Sequence, residues 1–347
     1  MRSPVRSIIF LVLVLALACG LYVVQHGRQP NTLPTGRMHD YQLDPPGLAD
    51  LELGDVDPGV PVLCYHYFRG SFDPLYLLRV LGSVFFGMPA LEAREFWTTP
   101  VGEFERHLRY FRDTDTRVMT LDEVADLIAA DEPLPRRAVV ITIDDADRSV
   151  YEQAWPLLKR YGMKAHLFVP TAMVGHRWAD LDVCSWDELK EMADSGNVLV
   201  ESHTRHLHFK IRTTERPEPV FLHPDRVPED VIADNQLAHP EVIDPKGLEP
   251  VTVVDEVQSP RGPVAEDILA SRLDIQRGAG VSPRWVSWPY GFADDALDSM
   301  CVHLGFRGTV SLRPSTYGEG EGTGHVGRFT LTAKTTLDRL EKVFPRP

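Results

Sequence analysis

Short, predominantly apolar runs recur along this chain and alternate with stretches of helical period, which limits the folds open to it. Val60 to Tyr65, Ala138 to Ile143, Ala165 to Val169, Val198 to Glu201 and Trp285 to Trp288 each read as a buried strand. Between them, Val101 to Phe111, Thr120 to Ala130, Tyr151 to Tyr161 and Trp186 to Ser195 space their apolar residues as amphipathic helices do. Thr120 with Glu123 forms a capping box, and Ser185 and Gly196 bracket the last helix. Strands that are apolar on both faces and alternate with ten-residue helices predict a parallel sheet covered by helices, either barrel-like or doubly wound. In such folds chemistry gathers at the C-terminal ends of the strands, and that rule selects His66, Asp144, Asp145, His203 and the Pro289-Tyr290-Gly291 turn.

The flanking segments concern location. The uncharged run from Ser7 to Val24 follows Arg2 and Arg6 and would make a helix about 27 Å long, close to the hydrocarbon thickness of a bilayer. We therefore expect residues 1–28 to be an uncleaved transmembrane anchor in the inner membrane, with the rest of the chain outside the cytoplasm. Processing as a lipoprotein at Cys19, or ordinary cleavage, is the alternative. Residues 29–59, rich in Pro, Gly and Asp, read as a tether, and residues 60–347 as the domain, with insertions near 69–96 and 209–282. Within the first insertion, Pro74 to Leu91 is strongly apolar and is expected to be a hairpin or amphipathic helix that covers the site or touches a bilayer or partner. The second is Pro-rich and weakly periodic. A formal net charge of −14 excludes partners that bind through neutralised phosphates, nucleic acids first among them. Cys64, Cys184 and Cys301 leave room for one disulfide but not for a framework.

Two clusters carry the chemistry. Asp144 and Asp145 end one strand, and adjacent ionised carboxylates repel unless a cation or shared proton intervenes. His203, His206 and His208 follow another, and one carboxylate with two imidazoles is a metal-ligand set that leaves positions for water and substrate. Neither cluster alone is decisive, because Asp-Asp is a common solvated turn. His166, inside an apolar strand, reads as a core histidine, and Gly318 to Gly324 as a loop without the features of a phosphate cradle.

The order of motifs is more specific. Val62-Leu-Cys-Tyr-His66, Thr142-Ile-Asp-Asp145, Arg148 to Tyr151, Pro156 to Gly162, Ala165 to Pro170, Ser202-His203-Thr204, Trp288 to Gly291, Gly305-Phe306 and Gly327-Arg328-Phe329 follow one another. This series resembles the polysaccharide deacetylases of carbohydrate esterase family 4, the NodB-like group. It is most similar to the permuted branch that de-N-acetylates exopolysaccharide such as poly-β-1,6-N-acetylglucosamine. The resemblance implies an α/β fold, a distorted (β/α) barrel of the NodB type. It also implies a hydrolase of carbon–nitrogen bonds in linear amides, using a divalent metal, Zn²⁺ first and Co²⁺ or Ni²⁺ next. It implies Asp144 as catalytic base, Asp145 and His203 as metal ligands, His66 as general acid, and Pro289, Tyr290 and Gly291 as the loop lining the acetyl pocket. The wider family's histidine spacing lands on Leu207 and the exopolysaccharide branch's on His208, which we take as third ligand, with His206 as fallback. Partners would be an N-acetylated polysaccharide, the membrane and polysaccharide export machinery.

Three positions depart from the family pattern. Ala146 stands where a Gly follows the Asp pair, Ile143 where a Phe precedes it, and Ser287 where an Arg normally orients the base. Arg328 is the candidate replacement for that Arg. A retired site serving as a glycan-binding component, or a peptidoglycan deacetylase, are the rival readings.

Overall fold

The structure, a computed structural model, describes residues 59–70, 97–178, 181–214, 217–239, 262–292, 294–318, 322–333 and 335–343. The expected anchor with Cys19, nearly all of the tether and the Pro74–Leu91 stretch lie outside them. Among the described residues no helix is long and apolar enough to cross a membrane.

The chain opens with β1 (Val60–Tyr65), β2 (Tyr67–Arg69) and β3 (Thr98–Pro100), then α1 (Val101–Asp113), β4 (Arg117–Met119), α2 (Leu121–Ala129) and β5 (Ala138–Ile143). A wide turn over Val150–Ala154 leads into α3 (Trp155–Tyr161), followed by β6 (Ala165–Val169), the short pair β7 (Arg177–Trp178) and β8 (Leu181–Asp182), α4 (Trp186–Asp194) and β9 (Val198–Ser202). The hairpin β10 (Lys210–Arg212) and β11 (Pro217–Pro219), α5 (Glu229–Ala238), α6 (Gly262–Gly278), β12 (Trp285–Ser287), α7 (Asp295–His303), β13 (Gly308–Val310), β14 (Thr316–Tyr317), β15 (Phe329–Thr330) and α8 (Leu337–Val343) complete it.

The main sheet runs β13-β12-β9-β6-β5-β1-β14, with β4 on β5 and β15 on β1, and all its pairings are parallel except β1 with β14. All six residues of β1 and of β5 are buried, as expected of strands covered on both faces. The sheet is curled, and its ends are linked: Val310 in β13 bridges to Val326, and four residues on, Thr330 pairs with Cys64 of β1. The Ser311 N–H to Val326 carbonyl bond (2.9 Å) and the Val326 N–H to Thr309 carbonyl bond (3.1 Å) hold that link. Gly327 permits it, because a Cβ there would stand 1.9 Å from Ser315 Oγ.

Both expected caps are present: Thr120 with Glu123 and Ser185 with Glu188 form reciprocal boxes, and Gly196 follows at φ 72°. The three described cysteines are free and buried, so they form no disulfide. His166 is the expected core histidine, placed between the Leu121 N–H (2.9 Å) and Glu201 (3.0 Å). The weakly periodic second insertion contains α5 and the 17-residue α6. Ten residues of α6 are buried, among them Glu266, Asp267 and Ser271, and a helix enclosed on several sides with polar groups inside shows no single apolar stripe.

Candidate active site

β5 delivers its carboxylates by running apolar to its last residue and then turning sharply. The Asp144 N–H still donates to the Tyr65 carbonyl (3.0 Å), and Asp145 and Ala146 then adopt φ 69° and 50°. Two consecutive left-handed residues without glycine carry backbone strain of about 1–2 kcal/mol each. The turn is held in place: the Ala146 carbonyl accepts the Cys184 N–H (2.9 Å), Asp147 bridges to Val183, and the Asp147 carboxylate accepts the Ser149 N–H (3.0 Å). Ala146 therefore occupies the conformation for which a glycine would be chosen, and the two side chains diverge.

Asp144 turns toward the interior. Arg328, fully buried, grips it in a fork, Nη1 to Oδ1 at 2.7 Å and Nη2 to Oδ2 at 2.8 Å. The remaining guanidinium bonds go to Ser287 Oγ (2.9 Å), Thr142 Oγ1 (3.2 Å) and the Ser311 carbonyl (2.9 Å). Burial works against the Asp144 charge, but Arg328 and then His203 outweigh it and hold its pKa at about 2. Arg328 thus arrives from the C-terminal strand beside Ser287, the position at which the family pattern has its own arginine.

Asp145 faces the histidines. Its Oδ2 accepts the Tyr67 hydroxyl at 2.5 Å, while Oδ1 is buried with no hydrogen-bond partner. His203 Nε2 and His208 Nε2 each stand 3.4 Å from that oxygen. His203 donates Nδ1–H to the Ser287 carbonyl (2.6 Å), which leaves the Nε2 lone pair turned to Asp145. Burial opposes the Asp145 charge, yet the two imidazoles hold its pKa well below the carboxylate range; burial lowers that of His208, while Asp145 raises that of His203 despite burial. His208 packs between Trp178 (ring centroids 4.5 Å) and Tyr290 (4.8 Å). Leu207 is buried in the apolar core, and the His206 ring turns away to Asp234 (2.7 Å), so neither joins the cluster.

His66 lies between these carboxylates and Trp97, its ring centroid 4.5 Å from the indole, and its Nδ1 has no hydrogen-bond partner among the described residues. Burial lowers its pKa, against the pull of Asp144 and Asp145. Pro289, Tyr290 and Gly291 form a tight turn after β12, with Tyr290 at φ 62° and Gly291 at φ 72°. Gly291 is needed there also because a Cβ would come within 2.5 Å of Leu312.

The residues present fit a divalent cation: one lone carboxylate oxygen and two imidazole nitrogens, all buried and within 4.8 Å of one another. Cys64, His66 and Asp144 are equally close, but both Asp144 oxygens already face the Arg328 cation, which disfavours a second. Tyr67 was not among the residues selected from the sequence; its signal was its place directly after His66 at the end of β1.

An α/β sheet curled around a buried carboxylate–imidazole cluster suits metal-assisted hydrolysis, and the family match places the chain among hydrolases. Residues 131–309 match the polysaccharide deacetylase family, and the chain belongs to it. The poly-beta-1,6-N-acetyl-D-glucosamine N-deacetylase of Staphylococcus aureus is 36% identical over 107 residues, 30% of this chain and 37% of that one, so the match spans just over a third of that relative. The structure of IcaB from Ammonifex degensii aligns with a TM-score of 0.60 at 26% identity, over 83% of this chain and 97% of that one. The de-N-acetylase of Aggregatibacter actinomycetemcomitans shares the fold, with a TM-score of 0.56 at 20% identity, over 82% and 99%.

Proposed function

We propose that this chain hydrolyses N-acetyl groups from a polysaccharide of N-acetylated sugars outside the cytoplasmic membrane, poly-β-1,6-N-acetylglucosamine being the first candidate. The carrying observation is the division of labour at the end of β5: Asp144 is held ionised by Arg328, and Asp145 offers a lone oxygen beside His203 and His208. A divalent cation on Asp145, His203 and His208, Zn²⁺ by donor type with Co²⁺ or Ni²⁺ also fitting, would supply Lewis acidity toward the acetamide carbonyl and its attacking water.

The chain's own groups supply the rest. Asp144 takes the proton of the water, its carboxylate kept charged and oriented by the Arg328 fork. The Pro289-Tyr290-Gly291 turn lines the acetyl site; Pro289 has no N–H and the Gly291 N–H donates to the Trp288 carbonyl at 3.0 Å, so the Tyr290 N–H is the donor it offers to the developing oxyanion. His66, neutral at rest because it is buried, has a ring nitrogen within 4.8 Å of an Asp144 oxygen, a gap that one water can bridge, and the proton relayed across it passes to the leaving amine. The uncharged run from Ser7 to Val24 supports an anchor in the inner membrane of a bacterial envelope, near polysaccharide export machinery, and the net charge of −14 suits a neutral or cationic glycan.

The test is acetate release by the purified chain from N-acetylglucosamine oligomers with added Zn²⁺. Asp144→Asn is expected to abolish turnover while retaining the cation, and Asp145→Ala to lose it. Full activity of Asp145→Ala, or acetate release independent of any divalent cation, overturns the mechanism. Glycan binding without retained metal would favour the rival reading of a binding component.

A further inference from the structure

His203 and His208 lie five residues apart, and the turn between them must aim both rings at one oxygen. β9 fixes only the first of them. The second insertion supplies restraints on one edge of the turn, and the segment after β6 supplies them on the other. Asp267 of α6 is fully buried; its Oδ1 accepts the Arg205 N–H at 2.7 Å, and its Oδ2 accepts the His206 N–H at 2.9 Å and Asn235 Nδ2–H at 3.1 Å. On the opposite edge of the same backbone, the Thr204 and Arg205 carbonyls accept the N–H groups of Thr171 (3.2 Å) and Ala172 (3.3 Å). Thr204 itself is held at φ 66°. The Arg205 side chain spans the two helices, with Nε on Asp274 at 2.9 Å and Nη1 on Asp234 at 2.5 Å.

We propose that Asp267 is a positioning residue for the metal site: by accepting two consecutive N–H groups of the His203–His208 turn, it fixes the separation of the two imidazole nitrogens and thereby sets cation affinity. This rests on the reading of Asp145, His203 and His208 as ligands. A carboxylate suits the task because it presents acceptors only, so all three N–H groups find a lone pair. Without it the turn samples other conformations, and binding must then restore order. An amide in its place turns an NH₂ toward one of those donors. Outer groups of this kind commonly alter metal affinity by about 10–100-fold.

The experiment measures Zn²⁺ affinity of the full chain by competition with a chromophoric chelator, and the visible absorption of the Co²⁺-loaded protein. The variants are wild type, Asp267→Asn and Asp145→Ala. Expected is a loss of about 10–100-fold in Zn²⁺ affinity in folded Asp267→Asn, with an altered Co²⁺ band, both independent of turnover. Wild-type affinity and band in Asp267→Asn, while Asp145→Ala loses the cation, overturn the proposal alone. Equal binding by wild type and Asp145→Ala overturns the ligand reading on which it rests. If Asp267→Asn does not fold, Asp267→Ser, which removes the paired carboxylate acceptors with a smaller side chain, is expected to weaken Zn²⁺ binding in the same direction; unchanged affinity there overturns the proposal.

Discussion

Replacing Arg328 by methionine keeps most of the side chain's volume and removes every donor. In the native protein the guanidinium satisfies both Asp144 oxygens, two hydroxyls and the Ser311 carbonyl, all inside the fold. Leaving a buried carboxylate without its cation costs about 3–5 kcal/mol, and the orphaned carbonyl about 1 kcal/mol more. The sum, about 4–6 kcal/mol, is a large share of a typical stability of about 5–15 kcal/mol. Asp144→Asn in the same chain removes the lone charge, so the double variant should be more stable than Arg328→Met alone. Urea unfolding followed by circular dichroism, applied to wild type, both single variants and the double variant, gives the four free energies of the cycle, provided the slope is shared. In whatever fraction folds, Asp144 without its counter-charge takes up a proton more readily, and the low-pH limb of acetate release should move upward. If Arg328→Met loses less than about 1 kcal/mol, or if the two substitutions simply add, the fork is not what holds the base.

Other substitutions probe neighbouring links. Tyr67→Phe removes the hydroxyl that occupies Asp145 Oδ2, and chelator competition should show Zn²⁺ affinity reduced by about 10-fold or more. Ala146→Gly relieves about 1–2 kcal/mol of left-handed strain but adds freedom to the unfolded chain and deletes a buried methyl, so stability should change by less than about 1 kcal/mol. Unchanged acetate release in that variant would show that alanine there does not misplace the carboxylates. His107, buried and bonded to the Tyr65 hydroxyl, has its pKa lowered by burial to about 4. The unfolded chain therefore binds this proton first, and stability is intact above about pH 6.5 and falls by roughly 3 kcal/mol as pH drops toward 4. His107→Gln should flatten that part of the acid denaturation curve.

The strands and caps were legible because they are local: β1, β5, β6 and β9 begin where their apolar runs begin, and each capping box joins residues three positions apart. Strands of two or three residues, such as β13 and β15, are too short to show a period and exist because the sheet's ends are linked through them. α6 escaped notice for the opposite reason, being buried on several sides around polar groups that serve the His203–His208 turn.

For the site, position after a strand sufficed to nominate Asp144, Asp145 and His203, whereas His208 was nominated by the histidine spacing of the branch the chain resembles. Choosing among His206, Leu207 and His208 required the turn itself, because which ring faces Asp145 depends on backbone angles set by Asp267 and Thr204. Arg328 was the sequence's candidate to hold Asp144, and the contact itself was decided in three dimensions. Arg328 lies 184 residues away, and only the link between the sheet's ends brings its guanidinium beside Ser287. Sequence determines which groups are available and where the longer strands and the capped helices start; the distances that separate a base from a ligand arise from strand register and burial, which no local pattern encodes.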